Sequence, residues 1–285
     1  MMINENYALS NGVQIPKLGL GTWFIEDGKA AQAVRDAVGI GYRHIDTAQA
    51  YGNERGVGEG IRTCGVAREQ LFVTTKLAAE IKSYDEAVKA IKGSLAKMDL
   101  DYIDLMLIHS PQPWNDFRGG DYAQGNREAW RAMEEVYQAG KLRSIGVSNF
   151  TEQDIDNILS GSKVTPMVNQ LLVHIGNTPL ALIGYCKSKD ILVQAYSPIA
   201  HGAMLNSPAV KSIADAYGVT VAQLCIRYTL QLGAQPLPKT ANPRHMRENA
   251  QVDFIISDDD MGKLKHMERF TDYGEYRAFP VFSGK

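Results

Sequence analysis

Hydrophobic and polar positions alternate between two kinds of segment along most of the chain. Short apolar runs that end in polar residues are typical of strands, and helical spacing of apolar positions follows each run. The predicted strand and helix pairs are 17–20 with 28–39, 43–46 with 53–64, 71–76 with 84–98, 102–109 with 126–139, 143–147 with 151–160, 167–170 with 179–189, 191–196 with 207–232, and 235–238 with 243–250. Eight such pairs in about 250 residues predict an α/β protein with a closed, parallel (β/α)8 barrel of the TIM-barrel type.

Three segments fall outside this alternation. Near the N-terminus, Asn11-Gly12 separates two short apolar stretches, which predicts a hairpin with a type I′ turn. A loop over 110–125 and a tail over 257–285 have no place in the repeat. Substrates usually bind at the carboxyl ends of barrel strands. We therefore expect both segments, and the loop 198–206, to influence substrate specificity. No linker interrupts the pattern, and one domain over residues 1–285 is expected.

Composition narrows the classes of partner. The chain of 285 residues has 30 Lys+Arg against 32 Asp+Glu, and this net charge of -2 favours neither nucleic acid nor an anionic membrane as partner. No apolar run is long enough to span a membrane, and the start MMINENYALS lacks the features of a signal peptide, so we expect a cytoplasmic protein. Cys64, Cys186 and Cys225 are too widely spaced to predict a disulfide framework or zinc site and are interpreted as small buried residues.

Polar residues close three consecutive predicted strands. Asp46 ends the second strand, Lys76 the third and His109 the fourth, while Tyr51 lies just beyond Asp46. Each residue alone is more often a solvated or capping group. Because the carboxyl ends of barrel strands meet at one face, their joint occurrence predicts a single site.

These side chains suit carbonyl reduction, in which hydride reaches carbon and a proton must reach oxygen. Tyr51 can serve as general acid if the Lys76 ammonium lowers its pKa from about 10 towards neutrality. Asp46 would hold the lysine, and a neutral His109 would orient the substrate oxygen. No metal site is expected, because the other histidines considered lack metal-ligand spacing; these are His44, His174, His201 and His266.

Three longer motifs resemble the signatures of the aldo-keto reductases, as found in bacterial members of the family. They are Gly41 to Gly58, Arg143 to Phe150, and Leu237 to Thr240 with Glu248-Asn249. The resemblance runs in the expected order from about Val13 to Val252. It implies a barrel opened by a hairpin and NAD(P)H-dependent reduction of activated aldehydes, α-dicarbonyls or keto-sugars. It also implies Tyr51 as the acid, supported by Asp46, Lys76 and His109, and a monomer.

The resemblance further implies how the cofactor is bound. Ser148, Asn149 and Gln170 would bind the nicotinamide amide, and Tyr196 would stack on the ring. The other predicted cofactor residues are Thr22, Trp23, Ser197, Lys239, Thr240, Arg244, His245, Glu248 and Asn249. No G-x-G-x-x-G motif lies between a strand and a helix, so a Rossmann-type site is not supported.

Two positions depart from the family pattern. His245 stands where the family usually has an arginine that binds the adenosine 2′-phosphate. Lys239, Thr240 and Arg244 can still form charge-assisted hydrogen bonds with this phosphate. We therefore expect NADPH to be preferred and NADH to be tolerated.

The second departure follows His109, where many relatives have tryptophan and this chain has Ser110-Pro-Gln-Pro-Trp114. The predicted substrate pocket is therefore lined by Trp23, Ser110 and Trp114, with Phe117 as another candidate for covering it. The tail carries four aromatic residues, for which covering the pocket and packing on the barrel surface are equally good interpretations; these are Tyr273, Tyr276, Phe279 and Phe282.

Two other functions fit fewer of these residues. A binding protein could keep the barrel and cofactor site with little turnover, but such a protein has no need of Tyr51 and Lys76. A barrel hydrolase or isomerase could use Asp46 and His109, and its turnover would need no nicotinamide.

Overall fold

Eight parallel strands form one sheet, and each strand is hydrogen-bonded to the strands that precede and follow it in the sequence. These strands are β3 (Gly19–Gly21), β4 (His44–Asp46), β5 (Phe72–Leu77), β6 (Leu105–Ile108), β7 (Ile145–Ser148), β8 (Val168–Leu172), β9 (Leu192–Tyr196) and β10 (Gln235–Leu237), and they follow a hairpin of β1 (Asn6–Ala8) and β2 (Gln14–Pro16). The Gly21 amide donates to the Pro238 carbonyl at 3.0 Å and brings the first barrel strand against the last. The predicted (β/α)8 barrel is thereby confirmed.

Helices cover the outside of this barrel. They are α1 (Asp27–Ile40), α2 (Glu54–Thr63), α3 (Tyr84–Met98), α4 (Ala123–Gln138), α5 (Glu152–Leu159), α6 (Leu180–Ser188), α7 (Pro208–Ala216), α8 (Val221–Gln231), α9 (Pro243–Ala250) and α10 (Asp258–Lys265). The computed structural model describes residues 1–283, so Gly284 and Lys285 of the predicted tail lie outside the described residues. Among residues 1–283, no helix is both long and apolar enough to cross a membrane.

One predicted helix is two helices. The expected single helix over 207–232 is interrupted between α7 and α8, where Gly218 has a φ of 65° that ends a helix readily. Thr220 then starts α8 with a capping box, because its hydroxyl accepts from the Gln223 amide while the Gln223 side chain accepts from the Thr220 amide. Apolar spacing continues across the break, which is why the pattern alone did not reveal it.

The predicted type I′ turn of the N-terminal hairpin is wrong. A type I′ turn needs positive φ at both central residues, but only Gly12, at 84°, has one. The Gly12 amide donates to the Leu9 carbonyl at 2.8 Å and the Leu9 amide to the Val13 carbonyl at 2.9 Å, which defines a three-residue loop ending in a left-handed glycine. The Asn11 side chain is held by the Arg143 carbonyl at 2.9 Å, so a contact with the barrel determines the turn.

Apolar side chains pack in two clusters. The larger fills the barrel and its contacts with the helices, and a smaller one joins α7 and α8 to the tail through Met204, Leu224, Tyr273 and Phe282. Cys186 and Cys225 are buried, as predicted, whereas Cys64 is half-buried. Burial raises the pKa of Cys225 to about 12 and also raises that of Cys186.

Helices α2 and α3 approach each other closely at Gly58. A Cβ added at this glycine would overlap the Met98 carbonyl and Cα at the end of α3. By contrast, Gly93 within α3 has open space around its Cα. The two glycines therefore separate a packing requirement from the general cost of glycine in a helix.

We expect Gly58→Ala to lower the free energy of unfolding by about 1–3 kcal/mol, because the added methyl forces the two helices apart. The control Gly93→Ala should raise it by about 0.5–1 kcal/mol through better helix propensity. Urea denaturation of both variants and the unmodified chain measures the difference. Equal effects of the two substitutions would contradict the close approach at Gly58.

Candidate active site

A buried ion pair lies at the carboxyl end of β4 and β5. Lys76 is fully buried, and its Nζ donates to Asp46 Oδ1 at 2.6 Å and to the Thr47 carbonyl at 2.9 Å. A buried ammonium is costly unless it is paired and hydrogen-bonded, and both requirements are met here. Parallel pairing of β4 with β5 brings the two side chains to the same end of the barrel.

Tyr51 lies beside this pair on a short turn. Its hydroxyl is 3.3 Å from Lys76 Nζ. The turn is anchored by Gln49, whose Oε1 accepts from the Ala78 amide at 2.9 Å and whose Nε2 donates to Ser94 Oγ at 2.8 Å. Gly52, with a φ of 69°, then redirects the chain into α2. These contacts hold the phenol over the ion pair.

His109 completes the group from the end of β6. Its ring lies edge-on to Tyr51 with 5.7 Å between ring centroids, and Nδ1 has no hydrogen-bond partner within residues 1–283. Burial lowers the pKa of His109 well below 6.5, and the nearby Lys76 charge lowers it further. The imidazole is therefore neutral at physiological pH and retains one N–H donor. The structure thus brings together all four residues predicted at the strand ends.

The predicted lowering of the Tyr51 pKa is wrong for the chain as it stands. Burial raises the pKa of Tyr51 well above 10, and the Asp46 carboxylate raises it further. Removing a phenolate from water disfavours the charged form of the side chain. Tyr51 consequently keeps its proton through the neutral pH range and is available as a donor.

Four predicted cofactor residues meet at the ends of β7, β8 and β9. Asn149 has a left-handed φ of 62°, and its Nδ2 donates to the His109 carbonyl at 3.1 Å and to Ser148 Oγ at 3.1 Å. Its Oδ1 accepts from the Tyr196 hydroxyl at 2.8 Å. Gln170 Nε2 donates to Asp46 Oδ2 at 2.8 Å, which connects this group directly to the ion pair.

Three further predicted cofactor residues surround the same mouth of the barrel. Thr22 is fully buried, and its hydroxyl donates to the Asp46 carbonyl at 2.9 Å. The Trp23 ring is 6.3 Å from that of Tyr51. Ser197 has a φ of 49°, and its hydroxyl is 3.1 Å from His201 Nε2.

The other six predicted cofactor residues lie around α9. Lys239 is exposed and forms no ion pair within residues 1–283, and Thr240 Oγ1 accepts from the Asn242 amide at 3.0 Å. On the helix, exposed Arg244 and His245 approach to 3.3 Å, and Arg244 is 3.8 Å from Glu248. Asn249 is buried.

Aromatic side chains form two walls beside Tyr51 and His109. Trp114 lies 5.1 Å from the His109 ring and 6.0 Å from Phe117. On the other side, Trp23 packs against the tail residues Phe279 at 5.0 Å and Phe282 at 6.1 Å. Tail aromatics therefore pack at the mouth. Predicted pocket residue Ser110, however, is fully buried, and its hydroxyl accepts from the Gln112 amide within the loop.

Sequence reasoning missed several polar groups beneath the site. Gln194, Gln235 and His44 are fully buried inside the barrel and connect to Gln170 through hydrogen bonds. The sequence feature that could have indicated them is a single amide side chain within an otherwise apolar strand, such as Gln194 within Leu192–Tyr196. Among residues 1–283, no group of three or more potential metal ligands is present.

Comparisons with known proteins agree with this geometry. The Aldo/keto reductase family model matches residues 17–269. An uncharacterised oxidoreductase of Bacillus subtilis is 41% identical over 90% of each chain, and the glyoxal reductase of the same organism is 39% identical over 94% of each. The crystal structure of a Bombyx mori aldo-keto reductase in complex with NADP superimposes with a TM-score of 0.85 at 33% identity, covering 97% of this chain and 98% of that one.

We expect Lys76→Met to lower the free energy of unfolding by about 3–5 kcal/mol, because it leaves the Asp46 carboxylate buried without its cation. Adding Asp46→Asn should restore at least about 1 kcal/mol by removing the unpaired charge. Urea denaturation measures the free energy of unfolding of both variants. The control is Lys211→Met, which breaks the exposed ion pair with Asp215 and should change that free energy by less than about 0.5 kcal/mol. A double variant no more stable than Lys76→Met would contradict this account of the pair.

Proposed function

The chain belongs to the aldo/keto reductase family of oxidoreductases, and on this premise we propose that it reduces aldehydes or ketones to alcohols with Tyr51 as the proton donor. The observation that carries the proposal is the Lys76 ammonium, which contacts both Asp46 and the Tyr51 hydroxyl at the barrel mouth. A proton donor next to a fixed positive charge suits a reaction in which negative charge develops on a carbonyl oxygen.

Each residue of this group has a separate part in the proposed reaction. A reduced nicotinamide, when bound, supplies the hydride. Tyr51 gives its proton to the developing alkoxide, and Lys76 stabilises the phenolate that remains. Asp46 holds Lys76 in place and favours its charged form, against the burial that lowers the pKa of Lys76. Neutral His109 donates a hydrogen bond to the same carbonyl oxygen and so orients the substrate.

The residues at the ends of β7–β9 fit a nicotinamide. Ser148, Asn149 and Gln170 offer amide and hydroxyl groups suited to a carboxamide, and Tyr196 offers a ring face for stacking. Their link to Asp46 through Gln170 supports placing the reactive ring next to Tyr51. Thr22, Trp23 and Ser197 would line the adjoining part of the dinucleotide.

The opposite end of the dinucleotide fits the segment around α9. Lys239 and Thr240 precede this helix, and helix N-termini favour anions, so we assign them with Arg244 to the phosphate. His245 would lie against the adenine, while Glu248 and Asn249 would contact the base edge. The NADP complex of the Bombyx mori relative supports this choice, and we propose NADPH as the preferred cofactor with NADH tolerated.

The proposed substrates are activated aldehydes, α-dicarbonyls or keto-sugars. Trp23 and Trp114 line opposite sides of the space above Tyr51 and His109, which suits a compact carbonyl compound with an apolar or planar face. The glyoxal reductase of Bacillus subtilis, similar along nearly the whole chain, supports the α-dicarbonyl class.

We expect Tyr51→Phe to lower NADPH-dependent turnover of methylglyoxal or a nitrobenzaldehyde by about 100-fold or more, because the lost hydroxyl acts in proton transfer. The NADPH Kd, measured by tryptophan fluorescence quenching, should stay within about threefold of the original value, since the hydroxyl acts in the transition state. Tyr7→Phe, in the hairpin at the other end of the barrel, is the matched control and should leave both quantities unchanged.

Other outcomes of these assays would support different functions. NADPH binding by the unmodified chain without oxidation of the cofactor by any tested aldehyde would favour a binding protein. Turnover of a substrate in the absence of nicotinamide would favour a hydrolase or isomerase. Near-normal reduction by Tyr51→Phe would contradict the role assigned to this tyrosine.

We expect His245→Arg to tighten NADPH binding by about 10-fold, because a guanidinium adds a permanent charge and a bidentate grip on a phosphate. NADH binding should change by less than about threefold, since NADH lacks the 2′-phosphate. Fluorescence titration with both cofactors measures this, and His266→Arg, an exposed histidine after α10, controls for added charge. Equal tightening of NADPH and NADH would contradict a phosphate contact.

A further inference from the structure

A row of buried polar side chains crosses the barrel interior beneath the ion pair. Gln170 Nε2 donates to Asp46 Oδ2 at 2.8 Å and to Gln194 Oε1 at 2.9 Å. Gln194 Nε2 donates to Gln235 Oε1 at 2.6 Å, and Gln235 Nε2 lies 2.8 Å from His44 Nδ1. We call Gln170, Gln194, Gln235 and His44 the interior polar row. None of its members is more than 2% exposed.

Strand register and one glycine create the row. Gln170 pairs with Gln194 between β8 and β9, and Gln194 pairs with Gln235 between β9 and β10, so the three amides are neighbours on adjacent strands. β3 separates β10 from β4, and its Gly19 pairs with His44. A Cβ there would come within 2.5 Å of His44 Nδ1. Gly19 therefore leaves the space in which Gln235 meets His44.

Both ends of the row accept, so its hydrogen bonds diverge from the NH2 group of Gln170, which donates towards Asp46 on one side and towards Gln194 on the other. The Asp46 carboxylate accepts from Gln170 Nε2, and at the other end Gln235 Nε2 also donates to the Pro16 carbonyl. Burial, aided by the Lys76 charge, lowers the pKa of His44 to about 3, so its neutral ring accepts at Nδ1 and donates from Nε2 to Thr74 Oγ1 at 2.9 Å. Because Asp46 and His44 both accept, each glutamine amide between them has only one orientation that satisfies its neighbours.

This pattern of donors and acceptors determines which atom of Gln170 faces the barrel mouth. Both protons of its NH2 group are used by Asp46 and Gln194. Its carbonyl oxygen Oε1 accepts no hydrogen bond within residues 1–283 and is not among the buried atoms that lack a partner. The acceptor of Gln170 is therefore the group left for a ligand, and rotation of the amide would break two buried hydrogen bonds.

We propose that Gln194, Gln235 and His44 are positioning residues that hold the Gln170 amide with its NH2 on Asp46 and its carbonyl towards the cofactor carboxamide. The inference rests on the proposed function, because it assumes that a nicotinamide binds at this mouth. Barrel interiors are usually filled by branched apolar side chains, and burying four polar ones is favourable only if their hydrogen bonds are satisfied. Orientation of Gln170 is the benefit that an apolar interior would not provide.

Two substitutions of Gln194 separate positioning from filling of space. Gln194→Leu keeps a similar volume but removes the acceptor for Gln170 Nε2, so Gln170 is free to rotate. Gln194→Glu keeps an oxygen acceptor for Gln170 Nε2 and, because burial favours the protonated carboxyl, can still donate to Gln235 Oε1. We expect Gln194→Leu to weaken NADPH binding by about 10-fold, which corresponds to the loss of about one well-placed hydrogen bond. Gln194→Glu should bind NADPH about fivefold more tightly than Gln194→Leu.

The measurement is the NADPH Kd of the full chain by tryptophan fluorescence quenching, together with kcat and KM. The KM for the carbonyl substrate should change less than the cofactor Kd, because Gln170 faces the cofactor and not the substrate. Thr229→Val is the matched control: this hydroxyl is equally buried but donates to the Cys225 carbonyl within α8. Its loss should leave the Kd unchanged.

The outcomes distinguish the proposal from its premise. If the unmodified chain does not bind NADPH, the proposed function fails before the interior polar row is tested. If it binds, an unchanged Kd in Gln194→Leu, or tighter binding by Gln194→Leu than by Gln194→Glu, overturns the positioning role. Should Gln194→Leu not fold, Gln235→Met removes the next link, and a folded variant with an unchanged Kd also overturns it.

Discussion

The burial of the Lys76 ammonium is the constraint on which the rest of the site depends. A charge at this depth is stable only if its partners are fixed, and Asp46 and the Thr47 carbonyl supply them. The second Asp46 oxygen must then be satisfied too, which brings Gln170 across the barrel from β8. Tyr51 and His109 lie against the same charge, so the buried lysine organises strands on opposite sides of the mouth.

Much of this arrangement could be predicted from the sequence because parallel strands place their ends together. Asp46, Lys76 and His109 each follow an apolar run, and knowing that the strands form a barrel is enough to expect them at one face. The helices are equally regular, and the predicted bounds 84–98 and 243–250 agree with α3 and α9. The spacing of apolar residues that defines each helix is local in the sequence, and the helices were predictable for that reason.

The features that were not predicted depend on contacts between distant segments. The conformation of the hairpin turn depends on the hydrogen bond from the Asn11 side chain to the Arg143 carbonyl. The pKa of Tyr51 depends on how deeply the folded chain buries the phenol. The interior polar row is a sharper case, since Gln170, Gln194 and Gln235 are far apart in the chain and meet only through strand register. A glutamine in an apolar strand signals an interior partner but does not identify it.

The burial of the thiols has a consequence for chemical durability. The thiolate and not the thiol is the nucleophilic form of cysteine, and the proportion of thiolate falls as the pKa rises. With Cys186 and Cys225 enclosed and their pKa raised by burial, these two side chains are present as unreactive thiols. Electrophiles that reach the protein surface therefore meet neither an accessible nor an ionised sulfur at these two positions.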